Sequence, residues 1–131
     1  MPNQKVSHQE LLSRIEGATG PSRELDGQIH CAVNPSFRWQ EPLVLGWTLG
    51  PEPDCKLEKA PEYTASLDAA LTLVPEWWRT LWAEELPSIS KWDWALCPIG
   101  GDSDIERSEG RASTPVLALC SAALRAKKQS R

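Results

Sequence analysis

PEYTASLDAALTLVPEWW, residues 61–78, holds a helix start, a short amphipathic helix, a proline stop and a tryptophan pair within eighteen residues. Thr64 or Ser66 is placed to cap the helix, because a hydroxyl there accepts one of the free first-turn N–H groups. Asp68 falls in the first turn, where the helix dipole favours a carboxylate. Leu67, Ala70, Leu71 and Val74 recur at helical spacing and predict one apolar face. Pro75 ends the helix, having no N–H to continue it. From Trp77 to Leu86 two periods compete. Trp78 and Trp82 stand four apart, as on a helix, whereas Trp78, Thr80 and Trp82 alternate, as on a strand. The β-propensity of tryptophan and threonine favours the strand. Neighbours in a strand face opposite sides, so one of Trp77 and Trp78 is expected at the surface.

On the N-terminal side, Ser7 to Glu10 spells a capping box ahead of Leu11, Leu12 and Ile15 and predicts a helix over about 8–18. Gly17 and Thr19-Gly20-Pro21 end it. Ser22 caps a second helix with Glu24 and Asp26 in its first turn and Leu25, Ile29, Ala32 and Val33 as its apolar stripe. Asn34-Pro35 closes that helix. Residues 36–49 have strand character: Phe37 and Trp39 alternate with Arg38 and Gln40, and Trp47 and Leu49 flank Thr48. Pro42 places at least one of these runs at a sheet edge. On the C-terminal side, Trp92, Trp94 and Leu96 alternate with Asp93, Ala95 and Cys97 and predict a strand over 91–98. Thr114 followed by Pro115 is a helix start. Residues 116–126 are apolar nearly all round, which predicts a buried helix at the centre of the core. Residues 50–61, with three prolines, and residues 100–112, polar and acidic, read as surface loops, and 1–7 and 127–131 as frayed ends. The expectation is one α+β domain: a small, mostly antiparallel sheet of three or four strands layered with about four helices.

At 131 residues the chain can bury a core without staples. Its net charge is -4; without the four cations of residues 125–131, ten basic residues face eighteen acidic ones. An acidic body argues against binding a nucleic-acid backbone, which needs a basic face, and suits either plain solubility or a basic partner. The four cysteines form no CxxC pair and stand at no zinc spacing from His8 or His30, so no metal or cofactor is implied. Cys31, Cys97 and Cys120 lie in apolar stretches, as free thiols of a reducing cytoplasm would. No apolar run reaches the length of a membrane span.

Three blocks, ELLSRIEGATGPSRELDGQI (10–29), YTASLDAALTLVPEWW (63–78) and STPVLALCSAALRA (113–126), together resemble small tailed-phage and prophage proteins of the "phage ABA sandwich" type. They cover about two-fifths of the chain. The resemblance implies an α/β/α layered domain encoded by a phage. It implies no activity. Trp77 departs from the family, which commonly has glycine there, and residues 36–61 lie outside the resemblance.

Seven tryptophans against one phenylalanine and one tyrosine is the most unusual feature of the composition. Trp39, Trp47, Trp77, Trp78, Trp82, Trp92 and Trp94 could present an aromatic surface to a partner or stack a nucleobase. A core filled with indoles explains most of them, with two or three left partly exposed. Asp102, Asp104 and Glu106, followed by Glu109, look superficially like a cation loop. The calcium pattern fails at its glycine and glutamate positions, so a solvated loop that could meet a basic partner is expected. Asp68 is explained by its helix start, and His30 beside Cys31 points away from it, so no nucleophile–base set emerges. The expected function is therefore non-enzymatic: a phage accessory protein in the host cytoplasm that binds and inhibits a host protein, such as a defence complex that handles nucleic acid. The alternatives are a nucleotide-sequestering protein, with Arg38, Arg79 or Lys91 on the phosphates, and a minor structural or assembly component. The oligomeric state is left open.

Overall fold

The computed structural model of the chain describes residues 7–34, 47–49, 57–100 and 107–129. Hydroxyl caps start its helices. In α1 (His8–Gly17) the Ser7 side chain accepts the Glu10 N–H at 3.1 Å, and Leu11, Leu12 and Ile15 are buried. In α2 (Arg23–Val33) Ser22 accepts the Leu25 N–H at 3.2 Å. Leu25 and Ile29 are buried there, but Ala32 is exposed, so the apolar stripe is narrower than its spacing predicts. The buried face runs through Asp26 instead. Asp26 is not the solvated first-turn carboxylate that its position suggests. It is fully buried, accepts both the Thr64 N–H and the Thr64 hydroxyl at 2.8 Å, and pairs with Arg23 at 2.6 Å. Arg23 also donates to the Ala60 carbonyl at 2.8 Å, fastening α2 to the turn ahead of the next helix.

That next helix, α3 (Leu67–Leu71), is capped by Ser66, which accepts the Ala69 N–H at 3.2 Å. Thr64 is the clamp to α2, not the cap. The apolar face also differs from expectation: Leu67 and Leu71 are each 43% exposed, while Ala70 and Leu73 are buried. The reason is the tightened end of the helix. Thr72, Leu73 and Val74 donate to the carbonyls three residues back. Three residues per turn aligns Ala70 with Leu73 and turns Leu71 outward.

β3 (Trp78–Leu86), β4 (Lys91–Pro98) and β5 (Ser108–Ala112) form an antiparallel sheet in that spatial order. β4 is the strand that tryptophan alternation predicts; β3 is a strand as expected, but a bulge at Leu81 breaks its alternation, so Trp82 does not share a face with Trp78 and Thr80. β1 (Trp47–Leu49) and β2 (Leu57–Lys59) form a separate antiparallel pair. Both expected loops therefore need correction: 50–61 contains β2, and 100–112 ends in β5. β5, Ser-Glu-Gly-Arg-Ala, has no large apolar residue, yet it alternates strictly. Ser108, Gly110 and Ala112 face the core, and Glu109 and Arg111 face out. Its inward residues are small because α4 (Pro115–Gln129) lies directly on them. A Cβ on Gly110 would stand 2.5 Å from the Ala118 carbonyl oxygen and the Ala122 nitrogen.

α4 starts on Thr114, whose hydroxyl accepts the Leu117 N–H at 3.1 Å, and extends to Gln129 rather than fraying at 127. Leu117 to Leu124 are all buried. The helix can be apolar all round because the sheet covers one side and α1 and α3 the other. Trp78, Trp94, Leu96 and Ala112 of the sheet join one core with residues of all four helices. Among the described residues, the helices thus gather on one face of the sheet, which differs from the helix–sheet–helix layering that the resemblance implies. Glu16 of α1 closes the stack by accepting from Ser121 and Arg125 of α4, and Arg125 also donates to the Glu109 carbonyl at 2.9 Å.

Candidate functional site

Alternation along β4, together with a bulge in β3, divides the tryptophans between two environments. Trp78, Trp92 and Trp94 point toward α4. Trp78 and Trp94 are buried, Trp92 is half-buried against the core, and the Trp94 indole N–H donates to the Thr80 hydroxyl at 3.2 Å. These three are corrected from candidate binding residues to core residues, since the helices cover the face that they occupy. Trp77 and Trp82 lie on the opposite, outer face. Trp77 is 72% exposed, as expected for one member of the pair. Trp47 belongs to β1, where its backbone pairs with Lys59. Trp39, Arg38, Asp102, Asp104 and Glu106 lie outside the described residues.

The outer face is organised around Trp82. A register shift between Thr80 and Trp82 makes Leu81 the extra residue of a bulge, which turns Trp82 to lie opposite Ala95. The Trp82 indole donates to Asp93 Oδ2 at 2.9 Å, and the Arg107 guanidinium sits 5.3 Å from its ring centroid. Such a contact contributes about 0.5–1 kcal/mol at an exposed site. Arg107 also pairs with Glu109 at 2.9 Å. Arg111 approaches Asp93 Oδ1 at 3.6 Å, an oxygen that is buried and makes no hydrogen bond. Arg79 is exposed on the same face beside this array. At the end of the ladder the Ile99 N–H donates to the Trp77 carbonyl at 2.6 Å, so the two residues stand together, Ile99 being 57% exposed. Sequence reasoning found Trp77 and Trp82 but missed Asp93, Ile99, Arg107 and Arg111. The signal for the arginines was the charged half of the β5 alternation, which is legible only once that segment is read as a strand.

Reactive side chains cluster elsewhere, in the core. The His30 Nδ1 lies 3.3 Å from the Tyr63 hydroxyl, and the Cys120 thiol donates to the Tyr63 carbonyl at 3.3 Å. Burial, with a smaller contribution from the Asp26 carboxylate, pushes the Cys120 thiol up to about 12, and burial alone pushes Cys31 to about 11. Neither is a thiolate at neutral pH. Between α1 and α2 a cleft of about 430 Å³ is lined by Arg14, Gly17, Ala18, Glu24, Leu25 and Gln28. Lys91, a candidate phosphate contact, instead donates to the Glu16 carbonyl at 3.2 Å. Among the described residues no three His, Cys, Asp or Glu side chains are placed to hold a metal ion, and no helix is long and apolar enough to cross a membrane.

Among the described residues, fold and surface define a small α+β protein with its helices on one side of an antiparallel sheet and, on the other, Trp82 with Arg79, Arg107 and Arg111 around the buried Asp93, Ala95 and Cys97. No protein family model, curated protein or solved structure matches the chain.

Proposed function

We propose that this chain is a non-enzymatic binding protein whose outer sheet face docks on another protein. Following the phage resemblance, its partner is a host factor that it inhibits in the host cytoplasm, with a nucleic-acid-handling defence complex as the leading class. One observation carries the reading: Trp77 exposes nearly three-quarters of its surface beside the exposed Ile99. An indole in water forfeits the burial that stabilises indoles elsewhere in this chain, and tryptophan is the residue most enriched where binding energy concentrates. The array of Trp82, Asp93, Arg107 and Arg111 supplies a polar rim next to this apolar anchor, as protein interfaces have. A nucleotide would find the Trp82 ring already carrying Arg107, which favours a protein partner over a stacked base.

The test is affinity capture from host lysate with the wild-type chain and with a Trp77→Ala, Ile99→Asp variant. Both substitutions are at exposed positions, so the variant keeps the fold. The reading expects a specific protein that the wild type retains and the variant loses. Recovery of no specific protein, or equal recovery by both chains, refutes it. Inhibition is tested separately, by infecting a defended host that expresses either chain and counting plaques.

A further inference from the structure

The sheet has an edge whose chemistry matches itself. β3 is the longest strand of the sheet and an edge strand; among the described residues it is paired on one side only, by β4. Long edge strands invite pairing with another chain, and proteins blunt them with charges and bulges. β3 has both, in Arg79, Glu84 and Glu85 and in the bulge at Leu81. Their positions fall into a pattern. The partners across β4 fix which side each residue faces: Trp77, Arg79, Trp82, Glu84 and Leu86 on the outer face, Trp78, Thr80, Ala83 and Glu85 on the helix side. The bulge is what changes the parity midway.

We infer that β3 pairs antiparallel with β3 of a second copy of this chain, about a two-fold axis between Leu81 and Trp82. In that register Arg79 stands opposite the partner's Glu84, and Glu84 opposite the partner's Arg79. Trp77 stands opposite the partner's Leu86, Thr80 opposite the partner's Ala83, and Trp78 opposite the partner's Glu85. Every pair outside the bulge matches outer face with outer face and helix side with helix side, as directly opposed strand residues must. Setting the axis at Leu81 or at Trp82 instead opposes outer-face residues to helix-side ones. The bulges meet at the axis, where they disturb the same step of both ladders. Opposite charges directly across the strands stabilise this pairing, and like charges there would oppose it. The product is a continuous six-stranded sheet with two copies of the outer face side by side. The dimer therefore doubles the surface assigned above to partner binding, and rests on that reading only in this last respect.

The experiment is sedimentation equilibrium of the full reduced chain across a concentration series, for the wild type, Arg79→Glu, Glu84→Arg and the double charge swap. Both substituted positions are exposed, and circular dichroism checks that each variant keeps its fold. The wild type is expected to reach twice the monomer mass of 14.5 kDa. Each single variant opposes two like-charge pairs in the dimer and is expected to weaken self-association by about tenfold or more. The double swap restores it, since the exchanged charges are again complementary across the axis. A wild type that stays monomeric throughout, or a dimer indifferent to either single variant, overturns the proposal. A monomer that still captures its partner through Trp77 leaves the binding reading standing, and a dimer that captures nothing leaves this one standing.

Discussion

Replacing Gly110 by alanine tests how closely β5 is laid on α4. An ideal Cβ at position 110 would stand 2.5 Å from the Ala118 carbonyl oxygen, 2.5 Å from the Ala122 nitrogen and 2.7 Å from the Ser121 Cβ. None of these is the movable end of a flexible side chain; all three belong to the backbone or first carbon of a helix buried on every side. Relief to ordinary contact distances near 3.4 Å requires strand and helix to part by about 1 Å. A gap of that size forfeits roughly a quarter to a half of the dispersion attraction for each atom pair along the seam. It also pulls Ser108 away from the Ala122 carbonyl, to which its hydroxyl now donates at 2.7 Å. Overpacking of this kind costs about 1–3 kcal/mol, and the rigid neighbours and strained hydrogen bond place Gly110→Ala at about 2–3 kcal/mol. At roughly 4 °C per kcal/mol for a domain of this size, the melting temperature should fall by about 10 °C. Calorimetry and urea unfolding measure it. Gly17→Ala is the control, because nothing lies within 4 Å of a Cβ there and α1 gains a better helix former. That variant should melt at or slightly above the wild type. If Gly110→Ala unfolds within about 0.5 kcal/mol of the wild type, a spread that ordinary surface substitutions show, the strand–helix seam is not as tight as described.

The two adjacent tryptophans should behave oppositely in the same unfolding assay. Trp78→Ala empties a core site and should cost about 3–5 kcal/mol, whereas Trp77→Ala should stay within about 0.5 kcal/mol. Thr64→Val removes the hydroxyl that bridges Ser22 to Asp26 and leaves a buried carboxylate short of a donor, so urea unfolding should show a loss of about 2–3 kcal/mol. Raising the pH should destabilise the chain through its thiols. In the unfolded chain they ionise near 9, but in the folded chain Cys31 does so only near 11 and Cys120 near 12. The unfolded state therefore gives up protons first, and the melting temperature should decline from about pH 9 to pH 11. Replacing Cys31 and Cys120 by alanine should flatten that decline; an unchanged slope would show that the thiols are not its source.

Much of the fold was legible because local rules decided it. Ser7, Ser22, Ser66 and Thr114 each cap the helix that they precede, and the alternation of Trp92, Trp94 and Leu96 defines β4 to the residue. β5 was not legible, since strand patterns are recognised by large apolar residues and this strand uses Ser108, Gly110 and Ala112. The candidate site was half legible: composition singled out the tryptophans, but not which of them face solvent.

What the sequence determined by itself is the four helices, the strands β3 and β4 and the character of α4, because capping, periodicity and apolar content act within a few residues. What only the tertiary structure decided is where those elements meet. Asp26 reads as a helix-start charge until Thr64, thirty-eight residues away, is seen to satisfy it in the core. Trp77 and Trp78 are the same residue type in adjacent positions, and they differ because Trp78 faces the core that the helices build and Trp77 does not. PEYTASLDAALTLVPEWW thus predicts a helix and then a strand. Its burial of Tyr63, Thr64 and Trp78, and its exposure of Leu67, Leu71 and Trp77, follow from long-range packing that no local pattern encodes.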